Sequence, residues 1–130
     1  MDAASNEARI QAGYTAFNSG DIDTLTDLFA EDIVWNFPGT SKLSGEHVGR
    51  DATLAALGGY GAAGAGTLQA KLVGLIADGD NVTSWARDTA TANGKTLAVN
   101  AIVIFTMQSG KVTRAHHFVD DLAALDNFLA

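Results

Sequence analysis

The stretch LQAKLVGLIADGDNVTSWARDTATANGKTLAVNAIVIFTMQSGKVTRAHHFV, residues 68–119, decides the fold. Within it Leu68–Ala77, Val82–Ala92, Thr96–Met107 and Val112–Val119 are long runs rich in β-branched and aromatic side chains. Asp78-Gly79-Asp80, Asn93-Gly94 and Ser109-Gly110 separate them, and short glycine turns of this kind join hairpins. Four strands linked in this way predict an antiparallel meander.

Upstream the pattern changes to helices. Ser5 is the expected cap of a first helix with a buried stripe of Ile10, Tyr14 and Phe17. Asn18-Ser19-Gly20 ends it, and Asp21 caps a short second helix carrying Ile22, Leu25, Leu28 and Phe29. Asp32–Phe37 alternates as a strand that places Ile33, Trp35 and Phe37 on one face, and Pro38-Gly39 stops it. A polar loop from Thr40 to Gly49 leads to Asp51, the cap of a short helix Asp51–Leu57. Gly58 to Gly66 then reads as a flexible glycine-rich connector at a pocket rim. Leu122, Leu125, Phe128 and Leu129 make Asp121–Ala130 a short amphipathic tail helix. With helices and antiparallel strands segregated, the fold class is α+β. Residues 1–130 read as a single domain without internal repeat. A long twisted sheet curls, and the space between its concave face and the helices is the natural place for an apolar pocket.

Composition narrows the function. In 130 residues, 47% are hydrophobic and 18% charged, an ordinary globular balance that excludes a wholly disordered chain. Eight basic against 15 acidic side chains leave a net charge of −7. A nucleic-acid or anionic-membrane partner needs the opposite field, so neither is expected. The absence of cysteine excludes disulfides, thiolate zinc sites and a cysteine nucleophile. No apolar run reaches the roughly 20 residues of a membrane span, and the opening MDAASNEARI lacks a secretory profile. A soluble, cytoplasmic protein is the expectation.

Residues 59–64, Gly-Tyr-Gly-Ala-Ala-Gly, match the GxGxxG dinucleotide fingerprint literally. They follow a helix and lead into a strand, the reverse of what a pyrophosphate site requires, so no nucleotide cofactor is expected. His116, His117 and Asp120 suggest a metal cluster only at first sight. Residues four apart on a strand lie about 13 Å apart, too far to share one ion, and no metal is expected.

Several segments together resemble the SnoaL-like branch of the NTF2-like superfamily, which includes ketosteroid isomerase. They are residues 17–21 (Phe-Asn-Ser-Gly-Asp), 28–35 (Leu-Phe-Ala-Glu-Asp-Ile-Val-Trp), Pro38-Gly39, Leu43-Ser44-Gly45 and Gly49-Arg50-Asp51-Ala52, then Gly110-Lys111-Val112 leading to Phe118-Val119-Asp120. The resemblance implies an NTF2-like cone, a curved antiparallel sheet wrapped around N-terminal helices and enclosing a pocket. It also implies a homodimer formed through the outer sheet face, a small apolar organic ligand, and no cofactor.

The ketosteroid-isomerase machinery is not retained. Phe37 stands where its carboxylate base belongs, and Val103 or Ile102 stands in place of its protonated aspartate. Tyr14 is one residue out of register with its tyrosine. Similarity to limonene-epoxide-hydrolase-like and SnoaL-like cyclases instead places an acid–base aspartate at Asp120. Arg87 resembles the arginine of the hydrolases' Arg-x-Asp pair, but Thr89 takes the partner position and Asp88 points to the other face.

On this reading Asp120, with His116 or His117, is the candidate acid–base set; the alternative for Asp120 is to cap the tail helix, a place that Asp121 could equally fill. Strand alternation turns one histidine inward and the other outward, and the sequence leaves open which. Trp35 and Phe37 are pocket walls or plain core. Tyr14 meets a ligand or a buried carbonyl, and Asn100 lines the cavity or an interface. Arg87 and Val103 complete the expected substrate-binding set. The implied activity is isomerase- or cyclase-like acid–base chemistry on a polyketide-, terpenoid- or steroid-like molecule; the alternative is a non-catalytic binding or assembly module.

Overall fold

The computed structural model describes residues 2–130. Helix α1 (Ala3–Ser19) is capped by Asp2, whose carboxylate accepts from the Ser5 amide at 2.8 Å. Ser5 is thus the capped residue and not the cap, because the acidic side chain three positions earlier reaches its N–H first. Gly20 closes α1 in the left-handed conformation. Asp21 caps α2 (Ile22–Leu28) through the Thr24 amide. Gly13 lets the two helices lie close, since a Cβ there would come within 2.7 Å of the Leu28 side chain.

Strand β1 (Phe29–Phe37) starts three residues earlier than expected, and Phe29 belongs to it and not to α2. Inside the polar loop a short strand, β2 (Gly45–Val48), pairs antiparallel with β1. Helix α3 (Arg50–Ala63) runs six residues beyond its expected end at Leu57. Its buried stripe of Thr53, Ala56, Leu57 and Tyr60 continues through the glycines, and that burial overrides their poor helix propensity. The fingerprint-like glycines at 59 and 61 are therefore helical.

The meander follows as β3 (Gln69–Asp78), β4 (Asn81–Ala92), β5 (Lys95–Gln108) and β6 (Lys111–Val119). Asn93-Gly94 and Ser109-Gly110 all have positive φ, as two-residue hairpin turns demand. The curved sheet has the order β2-β1-β6-β5-β4-β3 and does not close. All neighbours are antiparallel except β1 and β6, which run parallel. Helix α4 (Leu122–Leu129) follows, and Asp121 caps it by accepting from the Ala124 amide at 3.0 Å.

One face of the sheet meets the helices. On β5 this inner row is Leu97, Val99, Ala101, Val103, Phe105 and Met107, all buried, and on β4 it is Val82, Ser84, Ala86, Asp88, Ala90 and Ala92. Asn18 ties α1 to the free edge of β3, its side-chain amide both donating to and accepting from Ala70.

Candidate functional site

Between the inner face and helices α1, α2 and α3 lies a cavity of about 70 Å³. Its walls are apolar for the most part: Ile10, Phe17, Leu28, Phe29, Leu57 and Phe105 are among them. Five residues with polar side-chain atoms also line it, Tyr14, Trp35, Tyr60, Asp88 and His117.

Asp88 is the centre of the polar set. The residue is only 2% exposed, and Tyr60 Oη donates to its Oδ2 at 2.8 Å. Its other oxygen, Oδ1, is buried without a hydrogen-bond partner. A buried, half-satisfied carboxylate resists ionisation, and burial pushes the Asp88 pKa up to about 6 even though the Tyr60 bond pulls the other way. Burial, with the neighbouring Asp88 charge, likewise drives the Tyr60 phenol well above its ordinary value. Tyr60 stays a proton donor across the accessible range.

Tyr14 comes from the inward stripe of α1. Its hydroxyl lies 2.6 Å from Ser84 Oγ, which in turn donates to the Val103 carbonyl at 3.4 Å. Burial raises the Tyr14 pKa to about 12. Tyr14 thus reaches a carbonyl only through Ser84, and its ring forms part of the cavity wall.

The strand alternation resolves the two histidines. His117 faces inward and is buried, while His116 is half-buried on the outer face, where Asn36 Nδ2 lies 3.4 Å from its Nδ1. Trp35 Nε1 donates to His117 Nδ1 at 3.4 Å, and the rings of Trp35 and Phe37 both meet the imidazole edge-on. Desolvation lowers the His117 pKa to about 4, so its imidazole is neutral at physiological pH. Trp35 and Val103 line the cavity. Phe37 lies buried behind it, packed on Tyr60 and His117.

Three further expected site residues, Asp120, Asn100 and Arg87, lie on the outer face with His116. Asp120 is exposed, and its carboxylate accepts from the Asn100 amide at 2.9 Å and from Asn100 Nδ2 at 3.0 Å. These bonds hold its pKa below the ordinary value, the opposite of what an acid–base group at neutral pH needs. Asn100 also accepts from Trp85 Nε1, and Arg87 pairs with Asn100 across the strands on the same outer face. A bulge accounts for Asp120: Thr106 pairs with Arg114 but Met107 with Val112, which leaves Thr113 as an extra residue in β6. Counting by twos from buried Val112 brings residues 116, 118 and 120 inward; past the bulge Ala115 and His117 point in.

Arg87 and Asp88 are exchanged relative to expectation. The inner row of β4 is even-numbered, so Asp88 faces the cavity and Arg87 does not. The signal for this was present: Ser84, Ala86, Ala90 and Ala92 are small residues that leave room for helices, whereas the resemblance of Arg87 to the Arg-x-Asp pair pointed to the odd row. Among the described residues, no three His, Cys, Asp or Glu side chains gather in metal-binding geometry, and no helix is long and apolar enough to cross a membrane.

Comparison with known proteins agrees with this architecture. The family profile of the SnoaL-like domain matches residues 10–115. The Mycobacterium tuberculosis (strain ATCC 25618 / H37Rv) protein Rv0034 is 33% identical over 122 residues, covering 93% of each chain. The solved structure of Bal32a, from a soil-derived mobile gene cassette, is 38% identical and superposes over 100% of both chains with a TM-score of 0.96. A protein of Jannaschia sp. CCS1 provisionally assigned as a SnoaL-like polyketide cyclase shares the fold at 18% identity, with a TM-score of 0.81 over 98% of this chain and 94% of its own. The chain belongs to the SnoaL-like family and has the NTF2-like fold.

Proposed function

We propose that this protein is a cofactor-independent enzyme that moves protons to and from carbon in a small apolar molecule, in isomerase- or cyclase-like chemistry, with Asp88 as the proton acceptor. The observation that carries the reading is the unpartnered Oδ1 of Asp88 in a mainly apolar cavity. A carboxylate that titrates near 6 is mostly ionised at neutral pH, yet holds an abstracted proton far better than one that titrates near 4. Tyr60 fixes the carboxyl orientation by occupying Oδ2. The acid–base role thus passes from Asp120, which is exposed and hydrogen-bonded on the outer face, to Asp88.

Cavity size bears on the substrate. About 70 Å³ is below the roughly 150 Å³ of an apolar cavity that admits benzene, so a ring-bearing molecule has to displace wall side chains on entry. A single ring of a polyketide- or terpenoid-like compound requires the least displacement. The same size favours the alternative, a binding module without turnover, and one experiment separates the two. Incubating ring ketones such as cyclohexanone and 2-indanone in D2O and following loss of the α-hydrogen signals reads proton abstraction directly. The expected result is exchange above the buffer rate that falls by 10²-fold or more in Asp88→Asn, the scale of a general base. Exchange at the buffer rate in the native protein, with the ketone bound, would leave the binding reading standing.

The outer sheet face is the proposed homodimer surface. Ile76, Trp85, Ile102, Ile104 and Phe118 lie on adjacent strands there, with Trp85 opposite Ile102 and Ile102 opposite Phe118. Trp85 is 46% and Phe118 52% exposed in the single chain, which is a large apolar area to leave in water.

A further inference from the structure

Trp35 and His117 stand on neighbouring parallel strands, Trp35 opposite Ala115 and His117 two positions further along the same inner row. The indole Nε1 lies 3.4 Å from His117 Nδ1, with the ring planes 81° apart and the centroids 6.0 Å apart. Phe37 closes on the imidazole from another direction, with centroids 5.0 Å apart and planes at 76°. Two perpendicular aromatic contacts leave the imidazole little freedom to turn. An indole N–H is a donor only, so the nitrogen that faces it must be an acceptor. In a neutral imidazole one nitrogen carries the proton and the other does not. With Nδ1 occupied as acceptor, the proton sits on Nε2.

We propose that Trp35 is a positioning residue that holds His117 in its Nε2–H tautomer, so that the cavity presents a neutral hydrogen-bond donor to an acceptor oxygen of the bound molecule. The inference rests on the proton-transfer reading for its substrate class and sharpens it. The molecule handled is a carbonyl compound, its oxygen hydrogen-bonded by His117 while Asp88 takes a proton from the adjacent carbon. The C–H electron pair shifts into the new C=C bond and the carbonyl π pair moves to oxygen, giving an enolate that the Nε2–H stabilises without surrendering its proton. Desolvation, which keeps the imidazole uncharged, fits a donor that polarises and does not shuttle protons. His117 is then a hydrogen-bond donor and not the acid–base partner its sequence position suggested.

The test is a long-range nitrogen–proton spectrum of the histidine side chains in the resting protein at neutral pH. Three histidines are present, and single substitutions at His47 and His116 leave the His117 signals identified. The expected spectrum shows His117 as one tautomer, with Nδ1 unprotonated and Nε2 protonated. Trp35→Phe keeps an aromatic ring but removes the donor, and is expected to move both nitrogens towards the averaged values of mixed tautomers. If Trp35→Phe does not fold, benzothienylalanine at position 35 replaces the N–H by sulfur in nearly the same shape, with the same expectation. A proton on Nδ1 in the native protein overturns the proposal, and so does an unaltered tautomer in the folded position-35 variant. No substrate enters this measurement, so its failure is distinct from a failure of the Asp88→Asn exchange experiment.

Discussion

At the scale of the residue, Asp88 and His117 are two titratable groups placed in one apolar space, and each resists its charged form. Their effects on stability run in opposite directions. Asp88 releases its proton near 6 in the folded chain and at the ordinary 3.8 when unfolded. Its contribution favours folding fully below 3.8 and is lost as pH rises through 6. His117 titrates near 4 when folded against an ordinary 6.5, so its contribution is full above 6.5 and is lost as pH falls towards 4. Asp88→Asn removes the first effect and leaves the second. At pH 8 the variant should exceed the parent in urea-unfolding stability by up to about 3 kcal/mol, a difference that closes as the pH approaches 4. An equal or lower stability of the variant at pH 8 would mean that the carboxylate is better solvated than its burial implies.

The element that departs most from its sequence reading is α3, and the reason is physical. Gly58, Gly59, Gly61 and Gly64 carry the composition of a loop, and local propensity argues for one. Tertiary contacts decide otherwise: Leu57 and Tyr60 are buried against the cavity, and the Tyr60 hydroxyl is held by Asp88. The glycines also differ among themselves. A Cβ at Gly58 or Gly61 meets nothing within 4 Å, whereas at Gly64 it would lie 2.7 Å from Leu68 Cβ and 2.9 Å from its backbone nitrogen. Gly58→Ala and Gly61→Ala should each raise stability by about 0.5–1 kcal/mol, and Gly64→Ala should lower it, as read from thermal melts. Strand β6 teaches the same lesson. Its existence was plain from Val112 to Val119, but the extra residue at Thr113 reverses the alternation, and a bulge has no signature in a period-two pattern. The inward histidine could therefore not be chosen from the sequence, and Asp120, which the resemblance singled out, lies exposed on the outer face.

For the whole molecule, the meander was legible because its turns and β-branched runs are local signals. The parallel pairing of β1 with β6 is not local; it joins segments about 80 residues apart, and the antiparallel sheet that the resemblance implies does not contain it. The cavity was legible as a location, with Tyr14 and one histidine in its lining, while Asp88 was assigned to the other face although the small residues of its row mark that row as inward. The same whole-molecule view separates two faces: an inner one that holds the buried carboxylate, and an outer one where Trp85, Ile104 and Phe118 are left uncovered. If a second copy covers the outer face, sedimentation at micromolar concentration should give a dimer, and Phe118→Asp should give a folded monomer. A native monomer under those conditions removes that proposal without touching the inner site.

The central claim is that Asp88 is a carboxylate held ready for proton transfer near neutrality by its burial. Following the Asp88 side-chain carboxyl carbon by NMR as a function of pH tests it most directly. The account requires a midpoint near 6 that moves higher in Tyr60→Phe, where the hydrogen bond that favours the charged form is gone. A midpoint at the ordinary 3.8, unchanged by loss of the Tyr60 hydroxyl, would contradict it.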